Sequence, residues 1–508
     1  MTADLCQWIE GHAASSPRKT ALLFEDAVIS YRDLYHRVYS ATAFLRETHQ
    51  LQRGDRVAYL GFNSPACLVL LFACARLGAM LVPLNWRLEL PELAGVLSHA
   101  GAGVLFADAT HQDQATALVQ RYPRCAAVAS AELEPDQAAP HPPATTREPA
   151  DDLNMPVLLV YTSGTTGRPK GVVLTQNALL FNALNSIHMH GLTATAHVLS
   201  VLPMFHVGGL NIQTTPALYA GATVSLHQRF DPTATLAAIR AQRPSHLVLV
   251  PATISALIQH PDWQRTDLQC LQMLTTGSSV VPHTLIEVWH DRGVPVIQVY
   301  GSTETGPVAL YQRPKDALIA VGSVGQGALH TRLRIVSDGA EATTGQSGEL
   351  LLRGPNLFRE YWQDPAATTE AIEDGWFHTG DIGYRDERGF VFIHDRKKDM
   401  VISGGENIYP AELEQVLNGI DGIEEATVVG MPDEKWGEIP VALVVAAAPA
   451  GLTASKICAA FEGHLARYKH PRAVVFVPAL PRNAMGKVLK HELRDALKTG
   501  AIQLPERN

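Results

Sequence analysis

The segment VLLVYTSGTTGRPKGVVL, residues 157–174, places an apolar run on each side of a loop rich in glycine, serine and threonine. Continuous apolar runs are typical of strands that are covered on both faces of a sheet. The three glycines let backbone amides approach an anion closely, while the hydroxyl groups and Lys170 add hydrogen-bond donors and a positive charge. The composition therefore predicts a loop that binds a polyphosphate. The spacing differs from that of a Walker A loop, and a flexible linker is the alternative interpretation.

The same order of strand, loop and helix recurs outside this segment. Residues 57–62 are apolar, and the Ser-Pro pair after them is typical of the start of a helix. We predict that the apolar stretch 65–84 is a core helix, because its uninterrupted apolar run is too short to span a bilayer. Apolar runs at 246–250 and 294–300 predict further parallel strands. The pattern predicts an α/β fold with helices on both sides of its sheets.

Two changes in composition divide the chain. Residues 132–152 are rich in proline, alanine and acidic side chains, which is typical of a surface connection between subdomains. After residue 322, short strands and tight turns predict an antiparallel region. A small α+β unit is predicted after residue 400, with helices at 411–417 and 454–465 and strands at 427–430 and 441–445.

Composition limits the class of partner and the compartment. The 508 residues include 41 Lys and Arg against 50 Asp and Glu, a net charge of −9, without a basic run. Nucleic acid and anionic membranes are therefore disfavoured, and a small-molecule partner is expected. The six cysteines form no C-x-x-C pair, which fits reduced thiols and argues against a structural metal. Residues 1–5 do not resemble a signal peptide, so we expect a cytoplasmic protein without a transmembrane segment.

Six further motifs follow the glycine-rich loop in order: PMFHVGG (203–209), YGSTETGP (300–307), TGD (379–381), DRKKD (395–399), SGGENIYP (403–410) and PRNAMGK (481–487). Together with the loop, this series resembles the adenylate-forming enzymes, which include acyl-CoA and aryl-CoA synthetases, luciferases and the adenylation domains of peptide synthetases. The resemblance covers essentially the whole chain.

The resemblance implies a division of the chain into two domains. The first is a large N-terminal adenylate-forming domain of residues 1–397, with subdomains of about 1–150, 151–322 and 323–397. Parallel sheets form its main part, and a smaller subdomain is β-barrel-like. The second is a mobile α+β C-terminal domain of residues 398–508, with its hinge at Lys398.

The implied activity is that of an ATP-dependent carboxylate–CoA ligase, with ATP, Mg²⁺ and CoA as cofactors and co-substrates. A carboxylate first attacks the α-phosphorus of ATP, which gives an acyl-adenylate and pyrophosphate. Because two anions meet in this step, the site needs positive charge. By resemblance, Glu304 binds Mg²⁺ beside Thr303, and Lys487 bridges the carboxylate and the α-phosphate.

The ATP site implied by the resemblance draws on several motifs. Asp381 has two acceptor oxygens for the two ribose hydroxyls, and Tyr300 offers a flat face to adenine. Arg396 donates to ribose or phosphate. The family's usual Gly-Ala is replaced by Ser278-Ser279, which makes the pocket slightly more polar. The complete set is Thr162, Ser163, Gly164, Thr165, Thr166, Gly167, Lys170, Gly277, Ser278, Ser279, Tyr300, Gly301, Asp381 and Arg396.

In the second step the thiol of CoA attacks the activated carbonyl after the C-terminal domain has rotated. The resemblance implies that Gly404 and Gly405 then line the pantetheine tunnel, and that His206 is the gate residue between the two steps; a buried structural histidine is the alternative. The other implied CoA contacts are Arg87, Trp436, Tyr468, Lys469 and His470.

The acid substrate is expected to be an apolar fatty or aryl monocarboxylate. Segment 204–207 lacks the Asp that relatives use to bind an amino-acid ammonium, so a free amino acid is disfavoured. Asn211, Gln213 and Ser278 leave room for a polar group. The expected acyl pocket comprises Phe205, Val207, Gly209, Gln213, Gly306 and Val308. Alternatives are an acyl-AMP ligase that loads a carrier protein, a non-catalytic nucleotide binder and a luciferase-type oxygenase. Monomer and homodimer both remain open.

Overall fold

The computed structural model describes residues 5–134, 153–162, 169–278, 281–396, 399–403, 406–433, 436–446, 452–462, 464–465, 467–483 and 486–504. Some predicted site residues lie outside these ranges: Ser163, Gly164, Thr165, Thr166, Gly167, Ser279, Lys398, Gly404 and Gly405. The side chains of Arg396 and Tyr468 also lie outside the description.

The strands in chain order are β1 (Thr20–Phe24), β2 (Ala27–Ser30), β3 (Arg56–Leu60), β4 (Met80–Leu84), β5 (Val104–Ala107), β6 (Ala126–Ala129), β7 (Pro156–Thr162), β8 (Lys170–Thr175), β9 (His197–Ser200), β10 (Thr223–Leu226), β11 (His246–Leu249), β12 (Met273–Thr276), β13 (Val296–Tyr300), β14 (Leu310–Tyr311), β15 (Gln326–Gly327), β16 (Arg332–Ser337), β17 (Ala340–Glu341), β18 (Gly348–Arg353), β19 (Glu360–Tyr361), β20 (Ile372–Glu373), β21 (Trp376–Arg385), β22 (Val391–Arg396), β23 (Val401–Ser403), β24 (Glu406–Ile408), β25 (Ile423–Asp433), β26 (Gly437–Ala446) and β27 (Ala473–Phe476).

The helices are α1 (Leu5–Ser15), α2 (Tyr31–Glu47), α3 (Pro65–Leu77), α4 (Leu90–Ala100), α5 (Gln112–Arg121), α6 (Gln176–His190), α7 (Val207–Gly209), α8 (Thr215–Tyr219), α9 (Pro232–Gln242), α10 (Pro251–Ile258), α11 (His283–His290), α12 (Pro365–Ala371), α13 (Pro410–Asn418), α14 (Ala454–Ala459) and α15 (Lys490–Lys498).

Within the described ranges, two large sheets carry the predicted α/β architecture. One has the order β15-β14-β13-β12-β11-β9-β10-β1-β2, and the other the order β19-β8-β7-β4-β3-β5-β6. Strands β9 to β13 pair in parallel with one another, and so do strands β3 to β7, which confirms the fold class. Each sheet takes strands from both sides of residue 150, because β1 pairs with β10 and β7 pairs with β4. The predicted subdomain boundaries stay predictions.

The region after residue 322 forms the expected antiparallel sheet, with the order β17-β16-β18-β21-β20 and β22 paired to β21. The C-terminal domain is a separate α+β unit whose sheet has the order β24-β23-β26-β25, with β27 beside β26. Its predicted helix at 411–417 and its two predicted strands lie within α13, β25 and β26. A stacked ring pair, His394 and Tyr409 with centroids 4.6 Å apart, joins the two sides of the expected hinge.

Two predicted elements are wrong in extent. The stretch 65–84 is not one helix, because α3 ends at Leu77, Gly78 follows with a φ of +68°, and the chain continues as the buried strand β4. A side chain at Gly78 would place its Cβ 2.2 Å from the Met155 methyl group. The helix predicted at 454–465 ends at Ala459, because the chain then turns to bury Phe461 in the C-terminal core.

Candidate active site

The predicted phosphate loop connects β7 to β8, which pair as an antiparallel hairpin. Thr162 and Lys170 are partners at the end of this hairpin, so its geometry brings the two ends of the loop together. On its other edge β8 pairs with β19, and this pairing places the Lys170 ammonium 4.8 Å from the centre of the Tyr361 ring. The loop residues between them are outside the described ranges.

Glu304 lies in a short 3-10 turn, Thr303–Thr305, shortly after β13. Its carboxylate accepts a hydrogen bond of 2.9 Å from the Tyr361 hydroxyl. Lys170, Tyr361 and Glu304 therefore form one cluster, in which the aromatic ring separates the cation from the carboxylate. Sequence reasoning missed Tyr361, because only the pairing of β19 with β8 brings it to the site. No signal in its own segment marks it.

The adenine and ribose motifs meet at the carboxyl ends of β12 and β13, the usual place for ligands in a parallel sheet. Asp381 in β21 is buried and accepts a hydrogen bond of 2.6 Å from the Tyr300 hydroxyl. Asp381 and Arg396 are backbone partners across β21 and β22. The structure thus brings the predicted adenine-stacking and ribose-binding side chains into contact.

Glycine is required at two positions of these motifs. A Cβ on Gly277 would lie 2.5 Å from the Val299 carbonyl oxygen, and one on Gly301 would lie 1.8 Å from that of Pro307. Ser278 adopts a φ of +73°, a conformation that costs a non-glycine residue energy and is often found at functional sites.

Two hydroxyl groups beside these motifs fit a site that binds a polar ligand. Thr276 Oγ1 and Ser302 Oγ are buried, and neither has a hydrogen-bond partner among the described residues. Buried polar groups normally have a hydrogen-bond partner, so a bound nucleotide would explain both hydroxyl groups.

For magnesium, no group of three or more His, Cys, Asp or Glu side chains in the described part of the chain could hold a metal ion. A site with one protein carboxylate, Glu304, and substrate phosphates agrees with the usual coordination of Mg²⁺.

His206 lies at the start of α7, and its Nδ1 accepts a hydrogen bond of 3.0 Å from the Gly208 N–H. This contact leaves the proton of the neutral ring on Nε2. Burial lowers the pKa of His206 to about 4, so the side chain is neutral at physiological pH. The structure therefore places an uncharged imidazole at the predicted gate.

We expect the burial of His206 to make the folded state less stable in acid. An unfolded histidine has a pKa of about 6.5, so the unfolded chain binds the proton first as the pH falls from about 6.5 to about 4. The free energy of unfolding should fall with pH across this window. The measurement is the melting temperature from pH 7.5 to 4.5. In His206→Gln the melting temperature should depend less on pH than it does in the wild type. An unchanged slope of melting temperature against pH would contradict the assignment of His206 as a neutral, buried side chain.

The predicted acyl pocket segments are buried. Val207 and Gly209 belong to α7, a π-helical turn (Leu210–Thr214) follows, and Val308 is fully buried. Asn182 of α6 joins these segments: its Oδ1 accepts from the Val308 N–H at 2.9 Å and its Nδ2 donates to the Asn211 carbonyl at 2.7 Å.

Sequence reasoning also missed Asn182, although a signal was present. Asn182, Asn185, Ser186 and His190 share one face of α6, and all four are buried. Polar residues repeated on the buried face of a helix indicate a hydrogen-bond network in place of an apolar core. Gly306, another residue of the predicted acyl pocket, lies against the same helix, because a Cβ added to it would be 3.1 Å from the Asn182 Cβ.

The predicted CoA contacts lie in two parts of the chain. Arg87 stands over the rings of Trp86 and Phe205, at 4.8 and 5.9 Å, and is therefore next to the acyl segment. In the C-terminal domain, Lys469 forms an ion pair of 2.5 Å with Glu412.

The other two described CoA candidates also have partners within the C-terminal domain. His470 Nε2 lies 2.9 Å from the Leu465 carbonyl oxygen. The guanidinium of Arg472 stands 5.2 Å from the centre of the Trp436 ring. Trp436, Lys469 and His470 therefore already have partners within the domain, and a bound CoA would have to replace these contacts.

The loop of the predicted catalytic lysine is closed by two hydrogen bonds between Asn483 and Lys487, of 2.8 and 2.9 Å. The Lys487 side chain is exposed. A Cβ on Gly486 would be 3.8 Å from the Ala252 Cβ in α10, which begins soon after β11 ends. Because β11, β12 and β13 are adjacent and parallel, the lysine loop lies at the sheet edge that also carries Gly277 and Tyr300.

Comparison with known proteins agrees with this geometry. The family model described as AMP-binding enzyme matches residues 9–362, and the model of its C-terminal domain matches residues 412–487. An indoleacetate–CoA ligase of Aromatoleum aromaticum is 46% identical over 97% of this chain and 98% of its own length. A feruloyl-CoA synthase of Amycolatopsis is 39% identical over 96% and 98%. A 2-succinylbenzoate–CoA ligase of Bacillus licheniformis is 34% identical over 97% and 100%.

Among solved structures, the o-succinylbenzoate CoA synthetase of Bacillus subtilis with its acyl-adenylate intermediate has a TM-score of 0.85, at 32% identity over 96% of this chain and 98% of that chain. ATP-bound MatB of Rhodopseudomonas palustris has a TM-score of 0.89, at 30% identity over 98% and 99%. The chain belongs to the AMP-binding family of adenylate-forming enzymes and is an AMP-forming acid–thiol ligase that uses ATP and CoA.

Proposed function

We propose that this ligase activates an aromatic monocarboxylate, with an uncharged ring held between residues 203–213, 277–278 and 301–308. The observation that carries the proposal is the charge pattern of these segments. Their only Asp, Glu, Lys or Arg is Glu304, whose carboxylate is bound to Tyr361. His206 is neutral, and Val207 and Val308 are buried. Within these segments a second carboxylate would meet no cation, and an ammonium group would meet only the carboxylate of Glu304.

The names of the relatives favour an aryl over a fatty acyl group. The three similar ligases are named for indoleacetate, ferulate and succinylbenzoate, each of which contains an aromatic ring. The pocket also has an aromatic border, since Phe205 packs edge-on against Trp86 at 6.3 Å. Edge-to-face contacts of this kind are favourable for a further ring.

We assign the adenylation step to the cluster at the sheet edge. An oxygen of the substrate carboxylate attacks the α-phosphorus, and the bond from that phosphorus to the pyrophosphate oxygen breaks. Lys170 binds the departing phosphates, Asp381 holds the ribose and Lys487 lowers the repulsion between the two anions. When bound at Glu304, Mg²⁺ supplies positive charge for the leaving pyrophosphate.

We assign the thioester step to a second arrangement of the C-terminal domain, which turns at Lys398. The sulfur of CoA attacks the acyl carbonyl, the thiol proton is lost, and AMP leaves. Gly404 and Gly405 are suited to a narrow passage because they have no side chains. For Lys469 to bind a CoA phosphate, its ion pair with Glu412 must open.

For the cellular setting, we infer a cytoplasmic enzyme that acts as a monomer or homodimer. The support is the state of the cysteines, all six of which are free thiols. Burial raises the pKa of Cys67 and Cys125 to about 12, so neither forms a reactive thiolate. No helix in the described ranges combines the length and apolar character needed to cross a membrane.

A panel of acids tests the proposed substrate class. We expect kcat/KM for phenylacetate, indole-3-acetate or ferulate to exceed that for octanoate, palmitate, succinate and phenylalanine by roughly ten-fold or more, since an unpaired buried charge or an unfilled apolar pocket each costs at least about 1.4 kcal/mol. The measurement is AMP formation with and without CoA. Preference for a fatty acid, a dicarboxylate or an amino acid would refute the proposal. AMP release that free CoA does not accelerate would favour a carrier protein as acceptor.

A further inference from the structure

A column of aromatic rings crosses the boundary between the two domains. Tyr384 of β21 and Phe392 of β22 are partners in the antiparallel pairing, and their rings stack with centroids 5.2 Å apart and an angle of 13° between the planes. His394 lies two residues after Phe392 and therefore on the same face of the strand. Its imidazole lies 5.0 Å from the Tyr384 ring. The N-terminal domain thus presents a row of three rings beside the expected hinge.

The C-terminal domain adds the fourth ring. Tyr409 is the residue before α13, and its ring stacks on His394 with centroids 4.6 Å apart and an angle of 14° between the planes. Glu412, in the first turn of α13, places a carboxylate oxygen 3.5 Å from His394 Nδ1. His394 precedes Lys398 in the chain and both of its partners follow it, so both contacts join the two domains.

The His394 ring is uncharged in this position. Burial lowers the pKa of His394, the Lys469 ammonium lowers it further, and the Glu412 carboxylate offsets these effects only in part. A neutral imidazole can stack on a phenol ring without the cost of burying a charge. The contact between His394 and Tyr409 is therefore an uncharged ring contact that needs no counter-ion.

Two other contacts identify the arrangement in which this column is complete. The lysine loop lies against α10, where a Cβ on Gly486 would be 3.8 Å from the Ala252 Cβ. Gln415 of α13 lies 3.3 Å from the ring nitrogens of His283, at the start of α11. The C-terminal domain therefore brings Lys487 to the sheet edge while α13 lies against β22. The adenylation step requires this arrangement, because it uses Lys487.

We propose that His394 is a positioning residue, whose stack with Tyr409 holds the C-terminal domain in the adenylation arrangement and opens before the thioester step. This inference rests on the proposed function, and in particular on the turn at Lys398. Because the two rings lie on opposite sides of that hinge, a turn that withdraws the lysine loop separates them. A ring pair of this kind changes an equilibrium by roughly two- to ten-fold. The contact therefore biases the position of the domain without locking it.

The test measures the two half-reactions separately in His394→Leu. Thioester formation from supplied acyl-adenylate and CoA should be faster than in the wild type by roughly two- to ten-fold, whereas pyrophosphate release from ATP and acid should be no faster. Leucine keeps an apolar side chain at the position but removes the planar ring. A purely structural role of His394 would slow both half-reactions, so the ratio of their rates separates the two explanations.

Tyr409→Leu removes the same contact from the other domain and keeps the test decisive if His394→Leu does not fold. It should change the ratio of the two rates in the same direction. The double variant should change the ratio no further, because both substitutions remove one contact. Phe392→Leu is the matched control: it breaks a ring stack of similar geometry that lies within one domain, and it should leave the ratio at the wild-type value.

A ratio that is unchanged in both His394→Leu and Tyr409→Leu, or that shifts in favour of adenylation, would overturn the inference. An equal change in Phe392→Leu would also overturn it. If Lys487→Ala still affects only the first half-reaction, such results remove the role of His394 and leave the two arrangements intact. Equal loss of both half-reactions in Lys487→Ala would overturn the two arrangements and the role of His394 together.

Discussion

Lys487→Ala is expected to slow acyl-adenylate formation by roughly 10²–10³, the usual effect of removing one contact to a charge that develops in the transition state. The physical reason is that a carboxylate and a triphosphate must meet, and the loop of Lys487 lies at the sheet edge where both are expected. The same variant should convert supplied acyl-adenylate and CoA to thioester at nearly the wild-type rate, because the two anions no longer share the site.

The measurement is single-turnover kinetics of each half-reaction, with pyrophosphate release for the first and thioester formation for the second. Lys498→Ala is the matched control, since it removes an exposed lysine of the same domain and should change neither step. Replacing Gly405 by tryptophan should give the reverse pattern, with the second step slowed. Equal loss in both half-reactions of Lys487→Ala would contradict the two-arrangement assignment and indicate a structural role for the lysine.

Glu304→Gln should lower kcat/KM for ATP by a comparable factor, roughly 10²–10³. The substitution preserves shape and removes the charge, and Mg²⁺ strongly prefers a carboxylate to an amide. We expect the Mg²⁺ concentration for half-maximal activity to rise together with this loss. The experiment is a magnesium titration of the adenylation step at saturating acid and subsaturating ATP, where the rate is proportional to kcat/KM for ATP.

Tyr361→Phe is the matched control for Glu304. It removes the 2.9 Å hydrogen bond that orients the carboxylate but leaves the charge and the ring beside Lys170 in place. The expected loss is about ten-fold, which corresponds to one hydrogen bond to a charged group. If Glu304→Gln costs no more than Tyr361→Phe, or leaves the magnesium requirement unchanged, Glu304 does not bind the metal and acts only as part of the local hydrogen-bond network.

Features that depend on neighbouring residues could be predicted from the sequence. The two apolar runs that flank the glycine-rich loop are strands, as their composition predicts, although their antiparallel pairing with each other was not predicted. The motifs at Tyr300 and Asp381 contain the residue types that ribose and adenine require, and the two side chains do meet. The end of α3 was misjudged, because an apolar composition does not distinguish a helix from a buried strand.

Other features were decided only by tertiary structure. Tyr361 reaches Glu304 through the pairing of β19 with β8, and Asn182 joins two motifs that are distant in the chain. A hydrogen-bond chain through His190, Thr275 and Gln213 likewise joins three segments that are distant in the sequence. Local sequence determines which donors and acceptors exist, but hydrogen bonds form over about 3 Å. The partners at that distance are set by packing between segments far apart in sequence.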